Sequence, residues 1–168
     1  VQLLKSWLDS GLELGNHTFS HPDYNSLSAT DFFKEIIKGE QVTKELMSKA
    51  GKEFKYFRHP FLHTGNSKVR ADSLNHFLAN HGYTVAPVTI DDEDYMFAAA
   101  YKKAQDRKDT KMMKQIGIDY IDYMERKILY FERQSVALFG RQINQVLLIH
   151  ASALNSEYID ALAKMFIR

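Results

Sequence analysis

The chain has 168 residues, 45% of them hydrophobic and 26% charged, which favours one domain or one large piece of a domain and excludes disordered and collagen-like architectures. Its 22 Lys and Arg against 21 Asp and Glu leave a net charge of +1, so no whole-molecule field calls for nucleic acid or an anionic membrane as partner. With no Cys, disulfides, thiolate metal sites and cysteine nucleophiles are ruled out, and any metal chemistry must rest on His, Asp and Glu.

No run of about 18 apolar residues is present, so no transmembrane segment is expected, and the first residues lack a basic segment followed by an apolar one. Val1, Leu4, Trp7 and Leu8 recur at helical spacing up to Gly11, and Leu12 and Leu14 then alternate with Glu13 as a short strand towards Asn16. Ser28, with Asp31 three residues on, opens a helix through Phe32, Phe33, Ile36, Ile37, Val42, Leu46 and Met47 to Gly51. A strand from Lys55 to Arg58 follows. Val69, Leu74, Phe77 and Leu78 form a helical face closed by Gly82, and the β-branched run from Tyr83 to Ile90 predicts a strand, with Pro87 suited to an edge or bulge. The pattern is helical from Tyr95 to Phe139 with a break near Asp109. A short apolar strand runs from Gln145 to His150, and Ser156 is expected to cap a last helix reaching Arg168.

Helices alternating with single apolar strands predict an α/β fold with a parallel sheet, in which functional groups gather where strands end. Those ends carry Gly15-Asn16-His17-Thr18-Phe19-Ser20-His21-Pro22, then Arg58-His59-Pro60-Phe61, then Asp91-Asp92-Glu93-Asp94-Tyr95, and finally Leu148-Ile149-His150. His17 and His21 stand four apart, able to point the same way across one helical turn. His59 and His63 repeat the spacing across Pro60 and read as groove or surface residues.

In this order the motifs resemble those of the polysaccharide deacetylases, the NodB homology or carbohydrate esterase family 4: a His-x3-His pair, Arg-x-Pro, an Asp-x-x-Asp-aromatic stretch and Leu-x-His. The resemblance covers nearly the whole chain from Leu12 onward. It implies a distorted, incomplete (β/α) barrel with parallel strands, and a divalent metal, commonly Zn2+, held by two histidines and one aspartate. His17 and His21 match those histidines. The aspartate and the catalytic base belong to an Asp-Asp motif upstream of the His pair, which has no counterpart here, so residues 1–168 are expected to be one deacetylase domain truncated at both ends.

The resemblance also implies roles for the other strand-end residues. Phe61 would offer its backbone N–H as an oxyanion donor, and Arg58 would hold the catalytic aspartate by a charge-assisted fork, unless it is an ordinary arginine closing a strand. His150 would be the general acid that protonates the leaving amine; the competing reading is a buried, hydrogen-bonded core histidine. Asp94 best matches the carboxylate that orients it, with Asp91 in reserve. Tyr95 stands where family members usually have Trp.

The expected activity is metal-dependent removal of acetyl groups from an N- or O-acetylated polysaccharide or oligosaccharide. A non-catalytic carbohydrate-binding pseudoenzyme domain and a metal-dependent deacylase of a non-sugar substrate are the rivals. By resemblance alone, the location is periplasmic, cell-surface or secreted. Neither the identity of the glycan nor the oligomeric state follows from these residues.

Overall fold

A computed structural model describes residues 1–167. The chain folds as two compact units, Val1–Pro87 and Val88 onward.

In the first unit, α1 (Gln2–Asp9) leads through an extended segment to α2 (Ala29–Lys49), β1 (Tyr56–Phe57), a 3-10 turn (Pro60–Leu62), α3 (Lys68–Asn80) and β2 (Thr84–Val85). Ser28 caps α2 as its spacing to Asp31 predicts: its Oγ accepts the Asp31 N–H at 3.1 Å and donates to the Asp31 carboxylate at 2.8 Å. Phe32, Ile36, Leu46 and Met47 are the buried face of α2, whereas Ile37 and Val42, expected on it, are exposed. One core cluster is built on Tyr24, Phe32, Ile36, Phe57, Leu74 and Leu78; a second joins Leu8, Leu14, Leu46 and Met47.

The sheet is two-stranded and parallel, with Tyr56 opposite Thr84 and Phe57 opposite Val85, and α3 makes the crossover. It is much shorter than the sequence predicts, and the backbone hydrogen bonds say why. Of the expected strand from Leu12 to Asn16, Asn16 alone pairs, as a parallel bridge to Phe57. The Leu14 N–H donates to the Met47 sulfur at 3.3 Å, and the Gly11 and Leu12 carbonyls accept from the Lys52 ammonium at 2.9 and 2.8 Å. Side chains thus satisfy groups that a ladder would otherwise take up. Of the Tyr83–Ile90 run, Thr84 and Val85 pair with β1 and Ile90 forms an isolated bridge; between them lies Pro87, which has no N–H to give.

In the second unit, α4 (Asp94–Asp106), α5 (Thr110–Phe139) and α6 (Ala153–Phe166) pack around Tyr101, Tyr120, Met124, Leu154 and Leu162. Asp109 caps α5 through the Met112 N–H at 2.9 Å, at the break the sequence predicts. At Gly117 a Cβ would lie 1.9 Å from the Tyr158 ring, so the bare backbone there admits the α6 tyrosine. The cap of α6 is Ser152, whose hydroxyl accepts the Asn155 N–H at 3.1 Å; Ser156, the expected cap, lies inside the helix. The predicted continuation to Arg168 lies outside the described residues. Of the expected Gln145–His150 strand, Leu147 alone pairs, as a parallel bridge to Ile90. The Val146 N–H goes instead to the Thr89 hydroxyl at 2.7 Å, and the His150 N–H to the Asp94 carboxylate at 2.8 Å.

The result is an α/β fold with a small, unclosed parallel sheet flanked by helices, in keeping with a distorted, incomplete (β/α) barrel. Among the described residues no helix is long and apolar enough to cross a membrane.

Candidate functional site

The first unit assembles its polar groups around the loop after Asn16. Asn16 is buried; its amide donates to the Ile36 carbonyl at 2.8 Å and to the Tyr83 hydroxyl at 2.7 Å, and its Oδ1 accepts the Thr18 N–H at 2.9 Å. The Thr18 hydroxyl in turn accepts the His21 N–H at 3.1 Å. Helix α2 holds the far side, with the Phe19 N–H on the Glu35 carbonyl and both the Ser20 N–H and hydroxyl on the Glu35 carboxylate at 2.8 Å.

Thus held, the His17 and His21 rings meet edge to face, 4.7 Å between centroids. They do so through a loop rather than the single helical turn their spacing suggests, because Thr18 and His21 are both left-handed, at φ 67° and 57°. Phe61 and Leu62 are left-handed as well, at 56° and 57°. Each such residue costs of order 1–3 kcal/mol, a cost that surrounding structure must offset and that clusters at functional sites. Phe61 presents its ring to His21, 4.7 Å away.

The His17 Nδ1 lies 2.8 Å from the Arg58 carbonyl. A carbonyl only accepts, so Nδ1 carries the proton and Nε2 is the unprotonated nitrogen. Two imidazoles side by side are the donor type a catalytic zinc takes, two of its three protein ligands. Among the described residues no group of three or more His, Asp or Glu side chains is placed to hold one.

Arg58 is half-buried. One terminal nitrogen donates to the Pro87 carbonyl at 3.3 Å, while its buried Nε has no partner among the described residues, and burial pulls its pKa below the usual arginine value. His59, expected in the groove or at the surface, is 6% exposed and packed edge-on against Phe57. Burial, with a smaller contribution from the His17 imidazole, pushes its pKa down to about 4, so it is neutral at physiological pH. His63 is the exposed member of that pair, 2.8 Å from Asp23. A cleft of about 360 Å³ opens beside His17, lined also by Gly15, Asn16, Tyr56, Arg58 and Ala86.

In the second unit the acidic string alternates in burial: Asp91 and Glu93 are exposed, Asp92 and Asp94 buried. Glu93 is left-handed at φ 58°, which turns the chain into α4. Asp94 holds His150 twice, its Oδ1 2.5 Å from the ring Nδ1 and its Oδ2 accepting the His150 backbone N–H at 2.8 Å. The His150 side chain is 51% exposed and that of Asp94 1%, so this is not a buried core histidine. With Nδ1–H committed to the carboxylate, Nε2 is the nitrogen turned outward for proton transfer. Asp91 is not among the partners of His150.

Two residues take roles that the sequence reading did not give them. Asn155 of α6 donates to the Asp94 carboxylate at 2.7 Å. Asp92, 1% exposed, caps the Asp94 N–H at 2.9 Å and leaves its Oδ2 without a partner among the described residues; burial, reinforced by Asp94 and Asp91, pushes its pKa up to about 6. No motif marks Asn155, whose partners are set by tertiary packing, and nothing local in the acidic string tells which of its carboxylates is buried.

The fold is that of the incomplete (β/α) barrels that carry carbohydrate esterases. The polysaccharide deacetylase model matches residues 1–86, just over half of the chain, and the chain belongs to that family. It is 30% identical over 82 residues to a chitin deacetylase of Colletotrichum lindemuthianum, a match covering 49% of this chain and 29% of that protein. Among solved structures it resembles a family 4 carbohydrate esterase from Streptomyces lividans in complex with acetate, at a TM-score of 0.60 and 21% identity, over 99% of this chain and 66% of that one. It also resembles a family 4 pseudoenzyme from Bacillus anthracis, at 0.60 and 14%, over 99% and 47%. A mutant of that pseudoenzyme with restored enzymatic activity matches equally well, at 0.60 and 14%. At these identities the structural likeness is one of fold, and this chain spans less than two thirds of each relative's length.

Proposed function

We propose that this chain handles acetylated carbohydrate as part of a metal-dependent deacetylase that removes acetyl groups from an N- or O-acetylated polysaccharide or oligosaccharide. The observation that carries the reading is the His150–Asp94 pair, an exposed imidazole whose tautomer a buried carboxylate fixes through two contacts. Such a pair can donate a proton from Nε2 to a departing amine or alkoxide and is stabilised as imidazolium by the carboxylate behind it. Zinc, held by His17 and His21 with a third donor, would supply carbonyl polarisation and a water of lowered pKa.

The remaining residues of the site prepare the ground. The Arg58 Nε that lacks a partner is suited to a carboxylate, since guanidinium and carboxylate pair through parallel N–H donors. Phe61, left-handed and with its ring against His21, carries the backbone N–H that could steady a developing oxyanion. The cleft beside His17 is of the size small-molecule sites commonly have. Membership in the polysaccharide deacetylases and similarity to a chitin deacetylase support carbohydrate as the substrate class, and a polymer of that kind would be met in the periplasm, at the cell surface or outside the cell.

A second reading, a domain that binds acetylated carbohydrate without hydrolysing it, is supported by the want of a third metal donor beside His17 and His21 among the described residues. For residues 1–168 taken alone, that support is the stronger. The deciding experiment assays acetate release from acetylated chito- and xylo-oligosaccharides with added zinc, and measures calorimetric binding of the same sugars. Release that disappears in His150→Ala supports the deacetylase, binding without release supports the second reading, and neither binding nor release overturns both.

A further inference from the structure

The Asp94 carboxylate takes a third hydrogen bond besides the two from His150. Asn155, in the first turn of α6 and 5% exposed, donates from Nδ2 both to Asp94 Oδ2 at 2.7 Å and to the His150 backbone carbonyl at 2.8 Å. Its Oδ1 accepts the Tyr120 hydroxyl at 2.7 Å, and Tyr120 on α5 is fully buried. The orientation of the amide follows from its neighbours: a carboxylate and a carbonyl accept only, so the NH2 must face them, and the phenol must donate to the oxygen. Its two donors and one acceptor contact are thus of matching sense.

From this geometry we infer that Asn155 is a positioning residue for the His150–Asp94 pair, with Tyr120 locking its amide. The inference rests on the reading of His150 as the proton donor. The physical case has two parts. Asp94 is buried, and a buried carboxylate needs several donors to have its oxygens satisfied and held in place. Asn155 supplies one without competing for the proton, since an amide does not titrate. By bridging Asp94 Oδ2 and the His150 carbonyl, it also ties the carboxylate to the chain segment that carries the imidazole. Rotation of the carboxylate away from Nδ1 would therefore break a hydrogen bond at Asn155. Tyr120 extends the network to the middle of α5, so three elements, α4, α5 and α6, converge on one imidazole.

The test is nitrogen-15 NMR of the His150 ring in chain 1–168, comparing wild type with Asn155→Ala and Tyr120→Phe, and using the remaining amide resonances to verify folding. Wild type should show the Nδ1–H tautomer with a protected low-field proton. In Asn155→Ala that proton should exchange about tenfold faster and the ring nitrogens move towards a tautomer mixture, the effect of losing one hydrogen bond to a charged group. Tyr120→Phe, which keeps the ring, should move the same signals in the same direction by less. If His150 signals like those of wild type are found in folded Asn155→Ala, the inference is overturned. Should that variant not fold, unchanged signals in Tyr120→Phe overturn it. This readout needs no hydrolysis, so it can succeed where the chain proves non-catalytic, or fail where the chain is active.

Discussion

Gly39 on α2 lies against Thr18 so closely that a Cβ would approach the Thr18 carbonyl carbon to 2.5 Å and the Phe19 nitrogen to 2.8 Å. Both atoms are backbone and cannot step aside as a side chain would. The contact sets how near the loop bearing His17 and His21 sits to the helix whose Glu35 holds it. Gly39→Ala should therefore displace the loop even though alanine is the better helix former, by roughly 1 kcal/mol. The expected net effect is destabilisation of about 1–3 kcal/mol in urea unfolding, the range for overpacking. Nuclear Overhauser contacts between the His17 and His21 rings should weaken with it. A more stable Gly39→Ala protein with intact ring contacts would contradict the tight approach.

Zinc titration tests the paired imidazoles directly. Because an imidazole must be deprotonated to coordinate, binding should weaken as the solution is acidified, and His17→Ala and His21→Ala should each weaken it further. Calorimetry on wild type and both variants is the measurement. Equal affinity in all three would remove these histidines from any metal site.

Removing the other imidazole should act differently. His150→Ala should leave zinc affinity as it was and lower kcat for acetate release by about 10²–10⁴-fold, the usual contribution of a positioned general acid. Steady-state kinetics on an acetylated chito-oligosaccharide at saturating zinc reads this out, and unchanged turnover would assign the His150–Asp94 pair a structural role.

Much of this arrangement is legible along the chain. Ser28 with Asp31, and Asp109 at the α4–α5 break, signal helix starts by local hydrogen-bonding chemistry, and both caps form as local chemistry demands. The strand-end motifs mark where His17, His21, Asp94 and His150 stand, because a polar residue at the end of an apolar run is a local signal too. Burial within a polar string is not local. Asp91, Asp92 and Asp94 lie within three positions of one another, yet the left-handed Glu93 and the packing of α4 decide which is exposed, which is an orphaned acid and which orients the imidazole. Asn155 is 61 residues from Asp94 and 35 from Tyr120, and no periodicity announces a hydrogen bond over that separation. The strands are over-predicted for a related reason. β-branched runs signal extended chain, but a ladder also needs a neighbour, and at Leu14, Val146 and His150 side chains take the backbone donors instead.

Asp92 gives the molecule a pH dependence with a definite sign. Its folded pKa of about 6 lies above the ordinary value of 3.8, so the folded state holds this proton more tightly than the unfolded chain does. The stabilisation is fully present below pH 3.8 and is lost as pH rises through 6, by about 3 kcal/mol at most, since one pKa unit corresponds to about 1.4 kcal/mol. His59 acts the other way: its pKa, lowered from 6.5 to about 4, makes stability fall as the solution is acidified below 6.5. The wild-type curve therefore mixes two opposed slopes and is best read by difference. Asp92→Asn keeps an oxygen to accept the Asp94 N–H and removes the titration. Its constant cost or gain, including any donor left unpaired where Oδ2 stood, shifts the whole curve without tilting it. Urea unfolding followed by circular dichroism at pH 5 and pH 8 should show the variant gaining stability relative to wild type as pH rises. Parallel curves for the two proteins would mean that Asp92 is ionised in the fold at an ordinary pKa, and that its orphaned oxygen is met by solvent.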